Sequence, residues 1–229
     1  MPVLHFAMSA APKSKSEPAM LEVRDLCKSY GGRPVLHPIR FRLEPGTCLG
    51  VLGSNGSGKS TLLRLLSQAE RPDGGEILFR GRAVLGDRGF LRHHLGYVPQ
   101  ANELAEELTG GQQLRLWQAA CGCPGPLPED LVELLDLAPL LSRRISRLSG
   151  GMARRVSIAM ALLNHPEVLI MDEVTAPLDE GFQAALLDWL GGFLHQGGCM
   201  VWCTHRQSEV EALCHHALFL EQGSVVQSW

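Results

Sequence analysis

The stretch "GSNGSGKST", Gly53 to Thr61, restricts the fold more than any other part of the chain. It satisfies G-x-x-x-x-G-K-[ST], a loop that needs a strand before it and a helix after it. "HPIRFRLEPGTCLGVLGSNGSGKSTLLRLL" supplies both: an alternating strand, a Pro-Gly turn, a short apolar strand, the loop and an apolar helix pattern. At average residue usage the bare pattern arises by chance in roughly one chain of this length per hundred, so the flanking elements carry the assignment. The glycines let backbone N–H groups turn toward phosphate oxygens, and a helix starting near Gly58 adds unsatisfied N–H groups and a positive dipole end. Lys59 brings a mobile positive charge for the β- and γ-phosphates, and the Ser60 hydroxyl is placed to ligate magnesium.

The rest of the chain fits an α/β architecture. "MLEVRDLCKSYGG" alternates as a strand from Met20, "RPDGGEILFRG" turns into another strand, and "LGYVPQ" is a short strand stopped by Pro99. Residues 101 to 147 carry helical patterns broken by "CGCPGPLP". Strand and helix then alternate again through "PEVLIMDE", "DEGFQAALLDWLGGFLHQGG" and "CMVWCTH", which implies a parallel sheet with helices on both faces. With 229 residues and 45% hydrophobic content, the chain suits one large domain or a core with an inserted subdomain. Residues 1–19, rich in Ala, Pro, Ser and Lys without periodicity, read as a loose leader, with Met20 a candidate start.

Two buried strands end in polar groups at the edge where open α/β sheets bind ligands. "VLIMDE" delivers Asp172, expected to hold magnesium directly or through water, and then Glu173. Glu173 is a candidate for orienting and deprotonating an attacking water, with a helix-capping or salt-bridging acid as its plain alternative. "CTH" sets His205 on the same edge, where a lone histidine is usually structural.

Composition excludes several classes. The net charge of -3 and pI near 6.3 provide no global attraction to nucleic acid, and none is expected as a partner. Arg143, Arg144, Arg147, Arg154 and Arg155 cluster in sequence and read as a solvated helix surface. No apolar run approaches the roughly 18 residues that cross a bilayer, so any membrane link is expected to pass through a partner. Seven scattered cysteines argue against a disulfide framework and for a reducing cytoplasm. Cys121 and Cys123 have no second pair at zinc-site spacing, and His93-His94 and His215-His216 read as surface or strand-end histidines.

Together, and in this order, the motifs resemble the nucleotide-binding domain of an ATP-binding cassette (ABC) transporter over residues 20–229. The resemblance implies a P-loop NTPase (RecA-like) core over roughly 20–100 and 161–229, with a parallel sheet flanked by helices. It also implies an N-terminal antiparallel β region and an inserted α-helical subdomain over roughly 101–160. Gly53, Ser54, Asn55, Gly56, Ser57, Gly58, Lys59, Ser60 and Thr61 match the Walker A loop that holds ATP with Mg2+. Asp172 and Glu173 match the Walker B end, Gln100 in "YVPQ" the Q-loop glutamine that touches magnesium, and His205 the switch histidine at the γ-phosphate. Asp179 matches the D-loop aspartate and Tyr30 the aromatic that stacks on adenine. "DEVTAPLDE" departs from the family in carrying Val174 where a proline is usual. "ELTGGQQLRLW" falls where such domains form the groove for a coupling helix of the transmembrane subunit; Leu114, Leu116 and Trp117 also suit core packing.

"LSGGMARRVSIAMALL" is the remaining motif, a second glycine-rich helix start. A helix from Gly150 to Asn164 spans about 20 Å at 1.5 Å per residue, so length alone permits it to return to its own Asp172. "LSGGM" resembles the family signature, with Met152 in place of the commoner glutamine as in exporter-type ATPases. In that family two domains bind head to tail, and Ser149, Gly150 and Gly151 cover the ATP of the other domain. The resemblance thus implies an ATPase subunit on the cytoplasmic face of the cell membrane, docked on a transmembrane permease subunit. It pairs with a second nucleotide-binding domain, identical or homologous, and powers transport in the export direction. A soluble non-transport ABC ATPase, such as one serving iron-sulfur assembly, is the alternative. A nucleotide-gated module with little turnover is the third reading, and it conflicts with the presence of Lys59, Asp172, Glu173 and His205 together.

Overall fold

The computed structural model describes residues 18–229. The leader expected over 1–19 lies outside these residues except for Pro18 and Ala19, and Ala19 and Met20 are buried.

In chain order the elements are β1 (Leu21–Tyr30), β2 (Arg33–Leu43), β3 (Cys48–Gly53), α1 (Lys59–Leu66), β4 (Gly74–Phe79), β5 (Arg82–Ala83), α2 (Arg88–His93) and β6 (Leu95–Val98). They continue with α3 (Gly110–Cys121), α4 (Glu129–Leu134), α5 (Gly150–Leu162), β7 (Val168–Asp172), α6 (Glu180–His195), β8 (Cys199–Cys203), α7 (Gln207–Leu213), β9 (His216–Glu221) and β10 (Ser224–Ser228). One sheet, ordered β2-β1-β4-β5, is antiparallel. The other, ordered β10-β9-β3-β8-β7-β6, is parallel apart from the β9–β10 pairing.

Burial on both faces explains why β7 and β8 are continuous apolar runs. Val168 and Ile170 of β7, with Val201 of β8, point into a core shared with α1 and the antiparallel sheet. Their neighbours Leu169 and Met171, with Met200 and Trp202, point into a second core shared with α3, α5 and α6. The period of two along each strand therefore feeds two separate cores.

Two features set the site. β3 lies inside the parallel sheet, with β8, β7 and β6 following on one side, so the loops after β3, β7 and β8 meet at one carboxyl edge. The helical stretch after β6 begins with α3, whose Thr109 cap and Gln112 form a reciprocal capping box. α5 runs unbroken across the 160/161 boundary. Its carboxyl end packs so tightly on β6 that a Cβ at Gly96 would meet the Ala161 carbonyl oxygen at 2.5 Å. On α3, Leu114 is fully buried, whereas Leu116 and Trp117 are 59% and 39% exposed. The packing role expected for all three thus holds for Leu114 alone.

Candidate functional site

The loop after β3 depends on left-handed turns, with φ of 142° at Gly53, 79° at Gly56 and 105° at Gly58. Gly58 caps α1 and supplies no side-chain acceptor, so the first N–H groups of the helix keep their hydrogen-bonding capacity for a ligand. Lys59 is buried, and its Nζ donates to the carbonyls of Gly53 at 2.8 Å and Ser54 at 2.9 Å. Those bonds hold the ammonium within the loop. Gly53 is also sterically required: a Cβ there would meet the Leu220 carbonyl oxygen at 2.2 Å and the Ser57 hydroxyl at 2.7 Å. Gly53→Ala is expected to destabilise the fold by about 3 kcal/mol through overpacking and backbone strain. Urea unfolding measures this, and an unchanged midpoint would show that the turn can relax.

Asp172 ends β7 and is 2% exposed, and its Oδ1 finds no hydrogen-bond donor among the described residues. A buried carboxylate oxygen left in this way calls for a cation. Asp172, Glu173 and Cys203 present ligand atoms all within 4.8 Å of one another. Burial, reinforced by the charge of Asp172, pushes the Cys203 thiol well above its ordinary range, so it stays protonated and the carboxylates alone offer anionic ligands. Hard oxygen donors of this kind suit magnesium.

Glu173 turns off the strand at φ 49°, its N–H bonded to the Cys203 carbonyl at 2.9 Å. This conformation is costly for a residue with a Cβ. It brings Glu173 Oε1 to 2.7 Å from His205 Nε2, so the two residues singled out at separate strand ends form a direct pair. The residues on either side of His205 are fixed in place. The Thr204 hydroxyl donates to the buried Glu209 carboxylate at 2.5 Å and accepts from the Arg206 N–H at 3.1 Å. Arg206 also reaches Gln183 of α6, next to Asp179, which caps that helix by accepting from the Phe182 N–H at 3.1 Å. Glu209, Arg206 and Gln183 escaped the sequence reading, because they lie outside the motifs and meet motif residues only in the folded chain, Glu209 at Thr204 and Gln183 at the carbonyls of Thr175 and Leu178.

Gln100 follows Pro99 on an exposed loop. Tyr30 ends β1, 41% exposed, with its hydroxyl donating to Glu70 at 2.6 Å and Arg64 of α1 beside it. Val174 is fully buried in the second core, so the residue in the usual proline position serves packing.

Ser149 caps α5, its hydroxyl accepting from the Met152 N–H at 3.3 Å. Gly150 has open space around it, while a Cβ at Gly151 would meet the Pro177 carbonyl oxygen at 2.7 Å. The neighbours of this turn are thus the loops leaving β7, through Pro177, and β6, through Asn102. β7 and β6 lie two and three places from β3, about 10 and 14 Å at about 4.8 Å per strand. One expectation is corrected here. Arg143, Arg144 and Arg147 are exposed, but Arg154 and Arg155 are only 3% and 6% exposed. Arg154 bonds main-chain carbonyls, and Arg155 pairs with Asp136 at 3.1 Å and lies over the Phe182 ring at 4.3 Å.

With this geometry in place, residues 36–176, more than half of the chain, match the family described as ABC transporter. The chain belongs to that family. ABC relatives include the Nod factor export ATP-binding protein I of Rhizobium etli, 36% identical over 207 residues, covering 89% of this chain and 66% of that protein. The protein of the same name from Paraburkholderia xenovorans is 36% identical over 210 residues, covering 90% and 69%. The chain thus spans about two thirds of the length of these relatives. Among solved structures, an ATP-binding subunit of an ABC transporter superposes with a TM-score of 0.83 at 30% identity, covering 92% of this chain and 89% of that one. The ATP-binding cassette MJ0796, a dimer in a post-hydrolysis state with ADP and Pi, gives 0.82 at 23% identity over 92% and 98%, which bears on the fold.

Proposed function

We propose that this chain is the magnesium-dependent, ATP-hydrolysing subunit of an ABC exporter. In this reading it docks on a separate transmembrane permease subunit at the cytoplasmic face of the membrane. It works as a head-to-tail dimer with a second nucleotide-binding domain. The observation that carries the reading is the 2.7 Å Glu173–His205 pair beside the buried, unsatisfied Asp172.

Lys59 and the free N–H groups of α1 bind phosphate oxygens, and Tyr30 offers a face for adenine. Asp172, Ser60 and Gln100 would hold magnesium, which when bound neutralises charge on the phosphates. Glu173 takes the proton of the water whose oxygen attacks the γ-phosphorus, as the bond from that phosphorus to the bridging oxygen breaks. His205 keeps the carboxylate aimed. Ser149, Gly150 and Gly151 cover the nucleotide of the second domain, and Asp179 faces the same interface.

No helix among the described residues is long and apolar enough to cross a membrane. The exposed Leu116 and Trp117 of α3 give the coupling helix an apolar seat. Met152 and the names of the relatives support the export direction.

The test joins two measurements on the full chain. Phosphate release from ATP is expected only with magnesium, and a transmembrane protein is expected to co-purify in detergent. Recovery of a soluble scaffold protein in its place would favour the non-transport ATPase. ATP binding without hydrolysis, even with the partner present, would favour the low-turnover module.

A further inference from the structure

Arg154 is a buried cation held by two main-chain carbonyls, those of Pro99 at 2.5 Å and Gln100. Its Nε has no partner among the described residues. Burial pulls its pKa below the ordinary value, against the opposing charges of Asp172 and Glu173, yet a guanidinium stays protonated in any such setting. A planar fork suits two successive carbonyls, as the point charge of a lysine does not. A second bond joins the same two segments, from the Asn102 Nδ2 to the Gly150 carbonyl at 3.4 Å. Gly150 opens α5, and Arg154 lies about one turn further on.

The Q-loop and the signature turn are therefore fastened at two points, although 48 residues separate Asn102 from Gly150 and 54 separate Gln100 from Arg154. The weaker tie is exposed and long, whereas the Arg154 tie is half-buried and starts from a buried guanidinium. We infer that Arg154 is a positioning residue that couples the signature turn to Gln100. Docking of Ser149–Gly151 on the nucleotide of a second copy then sets the placement of Gln100 in this chain's own site. The two nucleotide sites of the dimer thereby communicate through a physical link that has a named joint. This rests on the dimer reading above.

Hydrogen exchange by mass spectrometry tests the link in the Glu173→Gln background, with and without magnesium and ATP. In Glu173→Gln alone, ATP is expected to slow exchange at least about tenfold both at residues 149–153 and at 100–103, as amides become protected by docking and by the coupled loop. Adding Arg154→Met is expected to keep the protection at 149–153 and lose it at 100–103. Arg154→Lys, which keeps the charge without the fork, restores it in part, and it serves as the readout if the methionine variant fails to fold. Protection of both segments in Arg154→Met, or of neither, would overturn the inference, since the arginine would then be dispensable to the link or needed for docking itself. If ATP protects neither segment in Glu173→Gln alone, the dimer reading fails. The inference falls separately if residues 100–103 exchange equally fast with and without the Arg154→Met change in the ATP-free chain.

Discussion

Replacing Glu173 by glutamine is expected to leave ATP affinity unchanged while lowering steady-state phosphate release about 100-fold or more, the range in which a positioned general base acts. The geometry makes this substitution unusually clean. Glu173 lies at φ 49° with its N–H held by the Cys203 carbonyl, and neither feature depends on the side-chain charge. Its Oε1 lies 2.7 Å from His205 Nε2, a contact that a glutamine amide can reproduce in either orientation. What vanishes is the capacity to accept a proton from water. Lys59 and the loop glycines remain, so equilibrium binding of ATP is the control, and both quantities are measured on one preparation. Turnover at the unaltered rate would reject Glu173 as the base and leave it as a residue that orients His205.

How much of this was legible beforehand follows from how local each cause is. The phosphate loop could be read because its glycines, lysine and flanking elements are contiguous, and β7 and β8 because burial on two faces writes itself as an unbroken apolar run. The start of α5 at Gly150 was legible from its two glycines, whereas the capping role of Ser149 emerges only in the structure. The Glu173–His205 contact was not, because it depends on β7 and β8 being neighbours in the strand order, and that order is set by packing of the whole sheet. The arginine pair misled for a related reason. A run of basic residues usually marks a solvated face, yet Arg154 finds its acceptors in a loop 54 and 55 residues earlier, and Arg155 stacks on a ring that comes after the next strand. Leu116 and Trp117 failed in the opposite sense. Their helical pattern alone does not reveal that only the Leu114 side of α3 meets the core.

The second large effect concerns the signature turn. Ser149→Phe is expected to spare ATP binding by the monomer and to abolish both ATP-driven dimerisation and hydrolysis. Two consequences of the substitution need separating. Ser149 caps α5 through the Met152 N–H, and loss of that bond costs about 1 kcal/mol of helix stability whatever replaces the serine. Ser149→Ala pays that cost alone, without adding bulk, and is expected to weaken dimerisation without abolishing it. The benzyl group of Ser149→Phe instead projects from an exposed position beside Gly150, which has open space around it for the approach of another surface. Sedimentation in the Glu173→Gln background, where ATP is not consumed, reads closure directly: a dimer for Glu173→Gln, a monomer when Ser149→Phe is added. Weaker ATP binding by the Ser149→Phe monomer would contradict the dimer reading and return the second glycine pair to the chain's own nucleotide.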